Sequence, residues 1–344
     1  MSAAAPSMFS SEAQAAADRL GLTKGRANLE AFADTLLELA REDRRIMAVT
    51  SDSRGSGKLG PFGQALPQQI VEVGIAEQNL VGIAAGLAAV GKKPFATSPA
   101  CFLAARALEQ VKNDVCYSDV PAVLVGISAG VSYGALGSTH HSLHDFAALR
   151  AVHNITIVAP ADNAETRAAV RAAAAATKPV YLRFGKAAMF DLPTGDGTEP
   201  FAFGRARRLR DGRDAAILAT GETVIHALLA AEHLAAQGIS CRVESVHTLK
   251  PLDTDAVLAA GRDCGAVLTL EEHSVHGGLG EACAAALLQA GVHVPFAIAG
   301  FPDVDTVTGS QSDIFQHYGI TMEGVADRIH SLRSKRHQWP HSTP

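Results

Sequence analysis

The sequence predicts an α/β protein of two domains, each a mainly parallel sheet with helices on both faces. Short apolar runs typical of strands alternate with longer segments whose apolar residues recur at helical spacing, which is the pattern of βαβ units. The chain has 344 residues, a length typical of about two domains. Residues 191–200, DLPTGDGTEP, combine proline, glycine and acids without periodicity, and the alternation restarts after them.

The first half supplies one sheet and its covering helices. Helix 28–41 carries Leu29, Phe32 and Leu36 on one face. Residues 74–91 are nearly uncharged and rich in glycine and alanine, so we predict a buried helix there that a neighbouring helix can approach closely. The predicted strands are 46–51, 70–74, 93–98, 122–128, 155–160 and 179–185. The remaining helices are 102–114, 142–152 and 161–176, the last capped by Asp162 or Asn163, and a glycine-rich loop spans 129–141.

The second half shows the same alternation of strands and helices, but it does not repeat a motif of the first half. Its predicted strands are 215–221, 241–247, 266–273 and 294–300, and its helices are 223–238, 253–265, 280–291 and 322–335. We therefore place a first domain at 25–190, a linker at 191–200 and a second domain at 201–333. Residues 1–24 are predicted to be a flexible tail with one possible helix, and 334–344 a second tail.

Composition argues against several classes of partner. The formal charge is −5 and the pI about 6.3, whereas a nucleic-acid-binding domain usually has a basic excess. No apolar run reaches the roughly 18 residues of a membrane span, and the first residues lack the pattern of a secretory signal. The five cysteines form no CxxC pair, which is typical of reduced thiols. We expect a cytoplasmic enzyme or enzyme subunit that binds neither nucleic acid nor membrane.

One glycine motif spells a nucleotide site. Gly55, Gly57 and Gly60 form a literal GxGxxG. A dinucleotide site needs this motif to end a strand and open a helix whose N-terminus holds the pyrophosphate. Pro61 and Gly63 follow at once, so we predict that no helix begins there and that the motif is a loop.

A second motif spells a hydrolase elbow. Residues 126–130 read GxSxG after a predicted strand, with Ser128 in the nucleophile position. Asp145 and a later histidine, His273 or His276, could complete a triad in chain order. An elbow needs a helix directly after the serine, whereas the next residues are loop-like, so a serine hydrolase is a minor alternative.

The densest histidine cluster lies in the glycine-rich loop. His140, His141 and His144 precede Asp145, and on a helix His140 and His144 would share one face, as zinc ligands can. The helix is predicted to start near Ser142, however. A substrate-binding or acid–base role is therefore favoured, and no metal site is assigned to this chain.

Five segments cohere as a set and carry a family resemblance. They are GIAEQN at 74–79, FLAARALEQV at 102–111, GSTHH at 137–141, VAPAD at 158–162 and YLRFGK at 181–186. In this order and spacing they resemble the pyrimidine-binding domain of transketolases, and the second half resembles the transketolase carboxyl-terminal domain. The resemblance covers about residues 28–333 and fits split transketolases, in which the diphosphate-binding domain is a separate polypeptide.

The resemblance implies thiamine diphosphate as cofactor. In this family a glutamate at a helix start hydrogen-bonds the pyrimidine nitrogen, and Glu77 matches that position. Sharing a proton there favours the imino tautomer, which activates the thiazolium carbon for ketol transfer from a ketose to an aldose. Phe102 matches the aromatic residue that stacks on the pyrimidine, and Asp52 matches an acidic residue near the cofactor.

Other positions are implied to touch the sugar. His140 matches the active-site histidine, while Arg183 and Ser56 match positions that hold the phosphate end of sugar phosphates. Two positions depart from the usual pattern. Leu136 stands where transketolases usually have an acid, and Ser128 stands where they usually have a phosphate-binding histidine. Ketol transfer is therefore expected, with a sugar phosphate or a modified sugar as substrate.

The resemblance also implies a partner subunit. Thiamine enzymes bind Mg²⁺ through GDG followed by asparagine about thirty residues later, but this chain has no asparagine after Asn163. The GDG at 195–197 lies in the linker, so it is interpreted as a coincidence. We expect the Mg²⁺ ligands on a diphosphate-binding subunit, an α2β2 assembly and an interface at helix 78–90. Alternatives are a 2-oxo-acid dehydrogenase beta-type subunit and a non-catalytic binding subunit.

Overall fold

The computed structural model describes residues 7–193 and 201–336. The strands are β1 (Lys24–Ala27), β2 (Ile46–Thr50), β3 (Ile70–Glu72), β4 (Lys93–Pro99), β5 (Val123–Ile127), β6 (Thr156–Val158), β7 (Val180–Arg183), β8 (Ala188–Phe190), β9 (Arg207–Arg210), β10 (Ala215–Ala219), β11 (Cys241–Ser245), β12 (Thr248–Lys250), β13 (Val267–Ser274) and β14 (Phe296–Phe301). The helices are α1 (Ser11–Arg19), α2 (Asn28–Glu42), α3 (Gly60–Ala65), α4 (Glu77–Ala89), α5 (Ala100–Arg106), α6 (Leu108–Gln110), α7 (Asp145–Ala151), α8 (Asn163–Ala175), α9 (Val224–Ala235), α10 (Thr254–Asp263), α11 (Leu279–Gln289), α12 (Gln311–Tyr318) and α13 (Met322–Arg336).

The first sheet is built mainly by the first half of the chain. Its order is β12-β6-β7-β5-β4-β2-β3, and the strands between β6 and β3 pair in parallel. Every residue of β2 and β5 is buried, because helices cover both faces and only an apolar run fits such a strand. The predicted α/β class with a mainly parallel sheet is confirmed here.

The second sheet has the order β14-β13-β10-β11-β9. Only β9 runs antiparallel, and it was not predicted because its sequence, RRLR, reads as a charged surface. Its arginines pair with carboxylates, among them Arg208 Nε with Glu244 Oε1 at 2.8 Å. Charged side chains on an edge strand also discourage pairing with other chains.

One strand from the second half of the chain belongs to the first sheet. The short strand β12 follows β11 of the second sheet, yet it pairs antiparallel with β6 of the first. The backbone between them continues this contact, since the amide of Ala159 donates to His247 O at 2.8 Å. The second half of the chain therefore extends the first sheet rather than standing apart from it.

The possible helix in residues 1–24 is present as α1, but the segment is packed rather than flexible where the structure describes it. Helix α1 is capped by the Ser10 side chain, and Ala13, Ala16 and Ala17 are buried in the core of the second domain together with Phe9. Alanines at helical spacing are enough to bury one face against α9, although their side chains are too small to give a strong sequence signal.

Two other predicted boundaries fall at the edges of the described residues. The linker at 191–200 lies mostly outside them, and so does the GDG at 195–197. The tail predicted at 334–344 overlaps the end of α13, which runs to Arg336; the rest of that tail is outside the described residues.

Helix 102–114 is not continuous. It divides into α5 and α6 at Ala107 and continues as a π-helix over Val111–Tyr117. A π turn shifts the side-chain register, so the periodicity seen in the sequence could not define one straight helix.

The prediction that no helix follows GxGxxG is wrong. Helix α3 begins at Gly60, with Pro61 in its first turn, a position where proline is well tolerated because its missing N–H has no partner there anyway. The motif nevertheless follows a loop, since β2 ends at Thr50, and it lacks the direct strand-to-helix turn of a dinucleotide site.

Within residues 7–193 and 201–336, no helix is both long enough and apolar enough to span a bilayer.

Candidate active site

The candidate residues gather at one edge of the first sheet. Asp52 follows β2, Glu77 follows β3, Phe102 follows β4 and Ser128 follows β5, while Arg183 ends β7. The carboxyl ends of parallel strands meet at the same edge, which is where open α/β sheets bind ligands. The fold thus brings these positions to the same side of the sheet.

Glu77 is far better protected than Asp52, the other carboxylate assigned to the cofactor. It begins α4 and is only 4% exposed, in a helix that is otherwise uncharged. The helix N-terminus favours a carboxylate at this position. Both of its oxygens accept from Arg106 Nη1, at 2.9 and 3.1 Å.

Arg106 also covers Phe102. The guanidinium carbon lies 4.0 Å from the centroid of that ring, and the two residues are four positions apart on α5, so they share a helix face. The result is a layer in which one flat cation touches a buried carboxylate and an aromatic face. Phe102 itself is half-buried.

His140 also packs against Phe102. The two rings meet edge to face with centroids 5.3 Å apart, and Tyr133 packs against His140 in the same way at 5.5 Å. Thr139 Oγ1 lies 2.9 Å from His140 Nδ1, which fixes the ring orientation. Lys186 Nζ lies 4.7 Å from the Tyr133 centroid. We call Phe102, His140 and Tyr133 the aromatic wall.

The second domain holds the loop that carries His140. Glu272 Oε1 accepts from the Val131 amide at 2.8 Å, and a side chain at Gly130, where φ is +61°, would overlap that carboxyl group. Burial raises the pKa of Glu272 to about 7, although Arg183 opposes this. The chain therefore needs both domains in place to position this loop.

His141 has a structural role that differs from that of His140. Its ring nitrogens lie 3.0 Å from Thr306 Oγ1 and 2.9 Å from Gly134 O, so it ties the loop to the second domain. Burial lowers its pKa. Among residues 7–193 and 201–336, no three histidine, cysteine or acidic side chains are grouped to hold a metal ion.

Asp52 and Ser56 lie on an exposed loop. The Asp52 amide donates to Glu72 Oε1 at 2.7 Å, and Ser56 Oγ donates to Ser53 O at 3.1 Å. Asp52 adopts a φ of +53°, a left-handed conformation that aspartate tolerates better than most residues. Both residues are exposed at the same edge of the sheet.

Ser128 does not have the geometry of a hydrolase nucleophile. It is fully buried, its φ is +53°, and the following residues form turns rather than a helix. The motif glycines have packing reasons of their own: a side chain at Gly126 would overlap the Tyr181 hydroxyl, and one at Gly130 would overlap Glu272. A buried serine is equally unsuited to the substrate contact assigned to it, so that assignment is also corrected.

Arg183 is not available to a phosphate. It is 6% exposed. Its Nε donates to Asp145 Oδ2 at 2.8 Å, and its Nη2 donates to Glu272 O at 2.9 Å and to Ser142 O at 3.1 Å. The guanidinium joins the two domains from within, so the sequence-based assignment to substrate is wrong.

Three residues of the site were missed by sequence reasoning. Arg106 had a signal, since it lies four residues after Phe102 on a helix. Lys186 belongs to the quoted YLRFGK segment and is exposed, which makes it the accessible cation where Arg183 is not. Tyr133 had none, because its approach to His140 depends on a loop with three glycines of positive φ, Gly130, Gly134 and Gly137. Leu136 is 55% exposed on this loop.

Comparison with known proteins identifies both halves. The family model for the transketolase pyrimidine binding domain matches residues 24–190, and the model for the transketolase C-terminal domain matches residues 204–325.

Several relatives match over nearly their full length. An apulose-4-phosphate transketolase subunit of Phocaeicola vulgatus is 49% identical over 86% of this chain and 94% of its own. The 6-deoxy-6-sulfo-D-fructose transketolase subunit SqwH of Clostridium sp. is 37% identical over 89% of this chain and 94% of its own. A solved split-gene transketolase, described as an inactive beta4 tetramer, covers 90% of this chain and 99% of its own at 37% identity, with a TM-score of 0.82.

Proposed function

Because this chain belongs to the transketolase family, we propose that it forms the pyrimidine-binding half of a two-subunit enzyme that transfers a two-carbon ketol unit from a ketose to an aldose. The observation that carries the proposal is the buried Glu77 carboxylate at the start of α4, joined through Arg106 to the ring of Phe102. A carboxylate and an aromatic face at this spacing suit a flat, nitrogen-bearing ring.

The residues fit thiamine diphosphate, the cofactor of this family. Arg106 shows that a planar group with N–H donors can lie between Glu77 and Phe102. We assign Glu77 to the ring nitrogen, Phe102 to the ring face and Asp52 to the rim of the site. When bound, the cofactor supplies a carbanion and an electron sink for the two-carbon unit.

His140 is the residue of this chain that would handle the sugar. Its Nδ1 is engaged by Thr139, so its Nε2 is left as the nitrogen that binds a hydroxyl or moves a proton. The other two rings of the aromatic wall pack edge to face against its ring and place apolar surface beside the imidazole, which strengthens polar contacts there. The second domain contributes by fixing the loop, through Glu272 and Val131.

We place the diphosphate and Mg²⁺ sites on a partner subunit. This chain lacks the family's GDG motif followed by asparagine. Two relatives are named as transketolase subunits, and a solved relative with beta chains alone is described as inactive. These facts support a split enzyme in which neither half is active on its own, and a symmetric α2β2 assembly is the expected form.

The partner's contact surface is proposed to lie around α4. Ile75 and Val90, at the two ends of this helix, are 72% and 75% exposed, and Tyr117 at the end of the π-helix is 79% exposed. Exposed apolar side chains of this kind are those that a partner subunit would bury.

The substrate is proposed to be a sugar with a terminal anionic group. The names of two relatives specify a phosphate sugar and a sulfo sugar. In this chain Leu136 leaves the loop that carries His140 without the usual carboxylate, which lowers the negative charge of that loop. Lys186, exposed and over the Tyr133 ring, is the cation we assign to that group in place of the buried Arg183.

Replacing Lys186 tests this assignment. In the assembled enzyme, K186Q is expected to raise the KM for a phosphorylated acceptor about 10- to 100-fold, as loss of a charge-assisted contact does, while the KM for the same sugar without phosphate stays unchanged. K178Q is the control, because Lys178 is an exposed lysine paired with Asp119. Equal effects of K186Q on both acceptors would contradict an anion-reading role.

Calorimetry with thiamine diphosphate and Mg²⁺ tests the proposed function as a whole. We expect no binding to this chain alone and binding to its mixture with a diphosphate-domain subunit encoded in the same genome. Absence of binding to a mixture that co-purifies as a complex would refute the proposal, and binding to this chain alone would refute the split site.

A further inference from the structure

Arg106 makes two contacts that, on the proposed function, belong to the cofactor. Its Nη1 satisfies both oxygens of Glu77, and its guanidinium covers Phe102. A guanidinium and an aminopyrimidine are alike in the relevant respects: both are flat, and both carry nitrogens at the edge. One face of Phe102 cannot stack on both at once.

The Arg106 side chain can also move away from Glu77 and Phe102. Arg106 is 47% exposed, whereas Glu77 is 4% exposed, so the arginine reaches the carboxylate from the solvent side. It can swing outward without disturbing the core, since α5 ends at this residue. Glu77, held at the start of a buried helix, cannot move out to follow it.

We propose that Arg106 is a positioning residue that occupies the pyrimidine site, the space against Glu77 and Phe102, until thiamine diphosphate displaces it. This rests on the proposed function. The buried carboxylate of Glu77 needs a partner, because an unpaired buried charge is strongly destabilising. Arg106 supplies that partner in the free subunit and preserves the arrangement of Glu77 and Phe102. The apparent affinity for the cofactor is the intrinsic affinity multiplied by the fraction of chains in which Arg106 does not occupy the pyrimidine site.

The test is cofactor affinity in the assembled enzyme, measured by calorimetry. R106A is expected to bind thiamine diphosphate about tenfold more tightly than the unchanged complex, which corresponds to a pyrimidine site that Arg106 occupies in about 90% of unchanged complexes. The free R106A chain is expected to unfold at a lower temperature, because Glu77 has lost its partner. R171A is the matched control: Arg171 is also an exposed helical arginine paired with a glutamate, Glu38, and its replacement should change neither affinity nor competition.

A chemical rescue separates competition from simple structural support. Millimolar guanidinium chloride, far below denaturing concentrations, should weaken thiamine diphosphate binding to R106A while leaving the unchanged complex unaffected. If R106A does not assemble, R106Q is used in the same measurements. Affinity equal to or weaker than that of the unchanged complex, or no effect of guanidinium on the variant, would overturn the inference. Failure of the unchanged complex to bind the cofactor would instead refute the proposed function.

Discussion

Glu77→Gln is expected to lower kcat for ketol transfer by the assembled enzyme about a thousandfold, the scale of losing a general acid–base group in a dry site. Glutamine keeps the shape of the side chain and can still hydrogen-bond. It cannot share a proton with a ring nitrogen as a carboxylate does, so cofactor activation should fail while the fold persists.

In the E77Q variant, cofactor affinity and kcat should change by very different amounts. Thiamine diphosphate should still bind the E77Q complex, with affinity reduced much less than kcat, because Phe102 and the partner subunit continue to hold it. E38Q provides the control, since Glu38 is an exposed glutamate on α2 paired with Arg171. A kcat for E77Q within about threefold of the unchanged enzyme would remove Glu77 from the chemistry altogether.

Some site residues could be placed at the carboxyl edge of the sheet from the sequence alone, because they belong to regular helices that follow strands. Glu77 begins a helix soon after a strand, and Phe102 lies in the first turn of the next helix, so the alternation of strands and helices brings both to the carboxyl edge of the sheet. Their chemistry at that edge follows from residue type. The fold class follows from the same periodicity.

The misassigned residues depend on contacts that a linear pattern does not contain. Arg183 and Lys186 are three residues apart at the end of one strand, and both are cations. Arg183 is buried because Asp145, at the start of α7, and the carbonyl of Glu272 meet it from two other parts of the chain. Lys186 lies past the end of the strand and is left exposed, and nothing local distinguishes the two.

The same reason explains the errors at the chain ends and between the domains. Helix α1 is recognisable only once the face of α9 that receives its alanines is known, and β12 is too short to show periodicity. In both cases pairing with a distant element stabilises a segment whose own sequence is weak, so tertiary context decides the structure.

Asp145→Asn is expected to destabilise the chain by about 3–5 kcal/mol, because it leaves the Arg183 guanidinium buried without its counter-charge. Asp145 is fully buried and accepts from Arg183 Nε at 2.8 Å and from the Tyr181 hydroxyl at 2.7 Å. Burial raises the pKa of Asp145, but Arg183 and His273 outweigh it and hold the pKa below its usual value. Urea unfolding of the chain measures the loss.

The double replacement D145L with R183M distinguishes a buried ion pair from a substrate ligand. Removing both charges together should recover much of the stability lost in D145N, since paired apolar replacements of buried ion pairs are often tolerated. If Arg183 serves only to join the domains, the assembled double variant should keep its KM for a phosphorylated acceptor close to the unchanged value, whereas K186Q raises it. A KM that rises in the double variant as much as in K186Q would return Arg183 to the substrate site.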